Sequence, residues 1–173
     1  MENYKEYKLK IIILILIVFL LCGCSLIYDL TNFTVPNDEE FLAVINSLDT
    51  PKKICKYMEV NFTYESNLFA YTPYQMWVLN RAGDCNDYAT WAIFVAHLHG
   101  YEVYQIVVYA SYGKHMLGVF VEDGYSYSDN YTYNNIHAKT FQEIVNHHIK
   151  AWGLTLCKYR VYDYDLNFIE GGK

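Results

Sequence analysis

Three residues of this 173-residue chain have the types and spacing of a nucleophile, a base and an orienting acid: Cys85, His115 and Asp129. Cys85 lies in the stretch GDCNDYA, residues 83–89, between two polar residues and just after a glycine. A structural cysteine is usually wrapped in apolar neighbours. Here the neighbours are those that start a helix. A cysteine in the first turn meets unpaired N–H groups and the positive end of the helix dipole, which favour thiolate. Asp84 and Asp87 act in the opposite direction. A thiolate nucleophile needs a histidine beside it and a third group to orient the ring.

His115 is the histidine best placed for this. It opens an apolar strand pattern 30 residues after Cys85, and Asp129 follows 14 residues later. His97 and His99 lie two apart on one helix and point to different faces, and His147 and His148 are adjacent on another. Neither pair can chelate a metal alone, so no metal ligands are assigned. His137 stands in a polar turn.

The elements that must hold these residues are legible from patterning. Residues 36–48 predict a helix with Pro36, a cap at Asn37 or Asp38, and a stripe of Phe41, Val44, Ile45 and Leu48. Thr50 and Pro51 open a second helix. Residues 65–75 read as loop. The third helix, 85–99, has Asp84 as N-cap and Asp87 reaching back as in a capping box, with Tyr88, Trp91, Val95 and Leu98 on one stripe and Gly100 as stop. The period then changes to that of strands at 101–110, 115–122 and 125–130, with a short helix from Thr140 and strand character at 154–166. Helices followed by an antiparallel sheet define an α+β class. If Glu122, Asp123 and Gly124 form a three-residue hairpin loop, Leu117 pairs with Asp129. His115 and Asp129 then share a face as diagonal neighbours.

The chain is 53% hydrophobic with a formal net charge of −6, which fits one domain over 36–173 and excludes a nucleic-acid partner that needs a basic patch. Lys5, Lys8 and Lys10 precede an apolar run at 11–21 and the sequence LCGC. These are marks of a signal peptide over 1–23, with Cys24 as a lipidated cysteine and 24–35 as tether. An uncleaved membrane anchor is the alternative. Either way the domain is exported and held at the outer face of the membrane. Cys55 and Cys157 could pair as a disulfide, or both be buried as small apolar groups.

GDCNDYA at 83–89 together with KHMLGVFVEDGYSYSDN at 114–130 resembles the transglutaminase-like superfamily of papain-related thiol enzymes. The stretches 52–64 and 99–110 are similar to that family's upstream helix and first strand. The resemblance implies a papain-like α+β core with Cys85 as nucleophile, His115 as base and Asp129 as orienter. It implies acyl transfer on amide bonds of a protein or peptide substrate without metal or organic cofactor. The oxyanion donors would be the Cys85 backbone N–H and an upstream side chain, with Gln75 and Trp77 as candidates. Hydrolysis by a cysteine protease or peptidase, protein cross-linking by a transglutaminase, and a non-catalytic binding module on the same fold are the readings that follow.

Replacing Cys24 with Ala is expected to abolish lipidation and release the chain from the membrane fraction. Retention at the parent level would identify an uncleaved anchor instead.

Overall fold

The computed structural model describes residues 33–173. The signal or anchor at 1–23, Cys24 and most of the tether lie outside the described residues. Among the described residues, no helix is long and apolar enough to cross a membrane. Phe33 and Val35, at the end of the segment read as tether, pack against the core.

The helices start where local chemistry requires. Asp38 caps α1 (Glu39–Ser47) by accepting from the Phe41 N–H at 3.0 Å. Thr50 caps α2 (Pro51–Asn61), with Pro51 at the first helical position. A short helix, α3 (Pro73–Val78), begins inside the stretch read as loop, and Thr72 and Gln75 form its capping box. Two-residue strands β1 (Thr63–Tyr64) and β2 (Ala82–Gly83) pair in parallel immediately before α4 (Cys85–Leu98).

The rest is a six-stranded antiparallel sheet with one helix inserted. Its strands are β3 (Val103–Ala110), β4 (Gly113–Glu122), β5 (Gly124–Asp129), β6 (Thr132–Ala138), β7 (Leu156–Asp163) and β8 (Phe168–Gly172), in spatial order β6-β5-β4-β3-β7-β8. Helix α5 (Phe141–Trp152) separates β6 from β7 and starts at its Thr140 cap. The chain is therefore mixed α+β, with five helices among the described residues. Strands β6 and β8 were not apparent in the sequence. Their side chains are largely exposed and do not alternate apolar with polar, so backbone pairing and not patterning defines them.

Both faces of the sheet are covered. Val103 and Val107 of β3 join the clusters of α4, whereas Ile106 and Val108 join Phe141, Ile144 and Val145 of α5. This is the period-two alternation of a strand buried on both sides. Helix α4 is consequently buried around its whole circumference from Cys85 to Ala96, and Leu98, expected on its apolar stripe, emerges into solvent. Trp91 packs edge-on to Phe62 at 4.9 Å and stacks on Tyr57 at 5.8 Å. Aromatic pairs of this kind add about 0.5–1.5 kcal/mol to the area they bury.

The β4–β5 hairpin takes the register expected from its turn. Leu117 lies opposite Asp129, and Gly124 adopts a left-handed φ of +84°. Cys55 is buried and Cys157 exposed, and both are free thiols, so neither the Cys55–Cys157 disulfide nor a buried Cys157 is found.

Gly118 marks the closest approach of sheet and α4. A Cβ there would lie 2.8 Å from Ser128 Oγ, 3.1 Å from Ile93 Cγ2 and 3.2 Å from the Ala89 carbonyl oxygen. Gly118→Ala is expected to destabilise the fold by about 1–3 kcal/mol, as overpacking of a tight core does. A thermal melt unchanged from the parent would show that the sheet and helix can separate freely.

Candidate active site

Cys85 is the first residue of α4 and only 9% exposed. Its position is fixed by the residues around it. The Asp84 side chain accepts from the Asn86 N–H at 2.8 Å, and Asp87 Oδ2 accepts from the Asp84 N–H at 2.9 Å. Asp87 also accepts from Asn67 Nδ2 at 2.6 Å and from the Tyr71 N–H at 2.7 Å, which ties the 65–72 loop to the helix start. Burial raises the Asp87 pKa while those donors oppose it. Gly83 has no room for a side chain, since a Cβ would sit 2.7 Å from Asp87 Cβ.

His115 lies on β4, two residues before the last β4–β5 pair, Leu117 with Asp129. No β5 residue pairs with it, so the start of α4 can approach that side of the strand. His115 Nε2 is 2.8 Å from Asp129 Oδ1. Cys85 is among the groups whose influence raises the pKa of the same imidazole. Of the three residues singled out from the sequence, His115 and Asp129 are in direct contact, and Cys85 at the start of α4 acts on the ring electrostatically.

Electrostatics favour a charged ring. Burial pulls the His115 pKa down, but hydrogen bonds and negative charge from Asp129 and Cys85 outweigh it, and the pKa is pushed up from 6.5 to about 9. Burial would raise the Asp129 carboxyl, yet hydrogen bonds and charge from His115 and His148 hold it well below the usual carboxylate range.

Two residues of the site were not identified from the sequence. His148 Nδ1 lies 3.1 Å from Asp129 Oδ2, and Trp152 Nε1 donates to the same oxygen at 2.7 Å. The His148 and His115 rings stack with centroids 5.1 Å apart and planes within 1°. A signal was present: His148 occupies the apolar stripe of α5 formed by Phe141, Ile144 and Val145. A histidine on such a stripe needs a buried partner.

The ligating atoms of His115, Asp129 and His148 fall within 4.8 Å of one another, close enough for a metal ion to span. Both nitrogens are at hydrogen-bonding distance from Asp129, which accounts for the cluster as a hydrogen-bond network. The other histidines are occupied elsewhere. His97 stacks on Tyr164, His99 Nε2 meets the Ile45 carbonyl at 2.8 Å, His137 Nδ1 meets the Asp123 carbonyl at 2.7 Å, and His147 Nδ1 meets the Tyr127 hydroxyl at 2.7 Å.

Neither upstream oxyanion candidate is placed for that role. Gln75 is exposed, and its Oε1 accepts from the Thr72 N–H at 2.9 Å within the α3 capping box. Trp77 is buried in the aromatic cluster with Arg81 over its ring at 4.1 Å. Tyr64 is closer to the chemistry. β1–β2 pairing sets it opposite Gly83, two residues before Cys85. On the α5 face, beside His115, lies a cavity of about 380 Å³ walled by Val108, Ala110, Tyr112, His148, Trp152 and Leu154.

No protein-family model matches the sequence, and a search of curated proteins found no match.

The shifted pKa values make stability depend on pH. The folded chain binds the His115 proton more tightly than the unfolded chain does. That contribution is complete below about 6.5 and is lost as pH rises towards about 9. Asp129 contributes in the opposite sense, above the ordinary carboxylate range, and its contribution is lost as pH falls through that range. Melting temperature is therefore expected to fall between about pH 6.5 and 9, with a shallower fall in His115→Gln. An identical alkaline limb in parent and variant would exclude His115 as its source.

Proposed function

We propose that this chain is a thiol-dependent acyl-transfer enzyme of the transglutaminase-like, papain-related type, which hydrolyses amide bonds in a protein or peptide. The observation that carries this reading is the His115 ring, bonded to Asp129 through Nε2 and raised in pKa by Asp129 and by Cys85 at a helix start. The helix start also presents a backbone N–H at Cys85, the group an oxyanion would use. Helix α4 packed against an antiparallel sheet, with His115 and Asp129 on adjacent strands, is the arrangement expected of a papain-like core.

The chemistry follows from that arrangement. The Cys85 thiolate attacks the amide carbonyl, forming a C–S bond and an oxyanion. As the C–N bond breaks, the His115 imidazolium gives its proton to the departing amine, leaving a thioester. Water then attacks the thioester while neutral His115 takes its proton. Collapse releases a carboxylic acid and restores thiolate and imidazolium. Asp129 holds the ring orientation and stabilises its charge. If an amine replaces water in the second step, the same site cross-links, which is the transglutaminase alternative. A non-catalytic binding module would keep the fold without turnover. With its apolar N-terminal run at 11–21, the enzyme would work at the outer face of the membrane.

An amide-hydrolysis assay with circular dichroism as folding control tests the reading. Cys85→Ala is expected to lose all activity, and Cys85→Ser nearly all, since an alkoxide is far harder to form than a thiolate. His115→Ala should fall by about 10²–10⁴-fold. Asp129→Ala should retain residual turnover but lose about 1–3 kcal/mol of stability, because three donors, of which His148 is fully buried, lose their acceptor. Asp129→Asn should be impaired too, since one amide oxygen cannot serve both His115 and the α5 pair. Full activity in folded Cys85→Ala would end the thiol-enzyme reading. Activity that survives iodoacetamide but is removed by a chelator would favour a metal-dependent reaction at the His115–Asp129–His148 cluster.

A further inference from the structure

Asp129 divides its two oxygens between two sides of the site. Oδ1 serves His115, while Oδ2 accepts from both His148 Nδ1 and Trp152 Nε1 on α5. Neither α5 residue is where stability alone would put it. His148 is 2% exposed on an apolar stripe, and its Nε2 is buried with no hydrogen-bond partner. An aliphatic side chain there would avoid that unpaired group. Trp152 is 60% exposed, so apolar burial does not explain its placement, yet its indole N–H reaches inward to the carboxylate. Meanwhile Asp129 ends β5, and Asn130 turns away with a φ of +49°. A carboxylate at a strand end has torsional freedom that strand pairing does not remove.

We propose that His148 and Trp152 are positioning residues for the thiol–imidazole pair, holding the Asp129 carboxylate in the plane that keeps His115 directed at Cys85. The proposal rests on the thiol-enzyme reading above. The two donors fix Oδ2, so Oδ1 has one direction left, and the His115 ring follows it. The His148 ring stacks on that of His115. The ionisable groups facing this network are Cys85 from α4, Lys114 on β4, Tyr127 on β5 and the adjacent His147 on α5. The cavity wall from β3 is apolar, formed by Val108 and Ala110.

The test needs no substrate. The full-length chain is treated with iodoacetamide across pH 5–9, and alkylation of each cysteine is followed by peptide mass mapping. The exposed thiol of Cys157 is the internal control. In the parent, Cys85 should react faster than Cys157 at neutral pH and retain that advantage into the acidic range, as a thiolate–imidazolium pair does. His148→Leu and Trp152→Phe, which keep bulk but remove the N–H, should each slow Cys85 by about 10-fold at neutral pH, as loss of orientation does. The double variant should be little worse than either single, because both act on one oxygen. His148→Asn places an N–H near the Nδ1 position and should recover most of the rate. Cys157 should be unaffected throughout. The inference is overturned if the parent and both single variants share one profile, or if His148→Asn is as slow as His148→Leu. A parent in which Cys85 has no advantage over Cys157 would instead overturn the thiol-enzyme reading, and this inference with it.

Discussion

Asp129 is a carboxylate taken out of water at the end of a strand, 7% exposed, and its burial is tolerated because three N–H groups converge on it. An ionised carboxylate without such partners would cost several kcal/mol or take up a proton. Those donors come from β4 and from both ends of one turn of α5, so satisfying the charge fixes three elements at once. The β4–β5 register places His115 one diagonal step from Asp129. The packing of α5 against the sheet, through Phe141, Ile144 and Val145, brings His148 and Trp152 to its other oxygen. Hydrophobic burial supplies the driving force, and the carboxylate selects one arrangement among those burial would allow.

A second buried carboxylate, Asp87, plays the corresponding part on the opposite face of the sheet. It accepts from Asn67, Tyr71 and Asp84, and so pins the 65–72 loop and the start of α4. Gly83 lets the chain pass close enough for that pinning. The thiol is thereby set on a rigid helix end. Packing with Val107 and Met116 holds it against the sheet. The two halves of the site are each built around an acid that never meets the other, and His115 is where they join. Its pKa of about 9 follows from that junction, because negative partners on two sides outweigh the effect of burial.

On the proposed reading, this architecture separates the roles that acyl transfer needs. A nucleophile benefits from a helix end that lacks N–H acceptors, and a base benefits from a strand, where side-chain direction is fixed by the pleat. The cavity of about 380 Å³ lies beside His115 on the α5 face of the sheet.

What the sequence determined by itself was local. The caps at Asp38, Thr50, Asp84 and Thr140 are set by side chains within three residues of the N–H groups they satisfy. A glycine at the third place of a three-residue turn allowed the register that brings His115 to Asp129, and the tertiary structure selects it. Helix α3 had its Thr72–Gln75 signature in view but was too short for periodicity to mark. The sequence did not determine β6 and β8, whose place comes from backbone hydrogen bonds to a neighbour already in the sheet. It did not place His148 and Trp152 at Asp129, nor exclude Gln75 and Trp77 from the site. Those outcomes depend on how α5 and α3 pack against elements distant in the chain. The strength of a hydrogen bond across such a separation is set by the positions of two packed elements, and no single stretch of sequence carries that information.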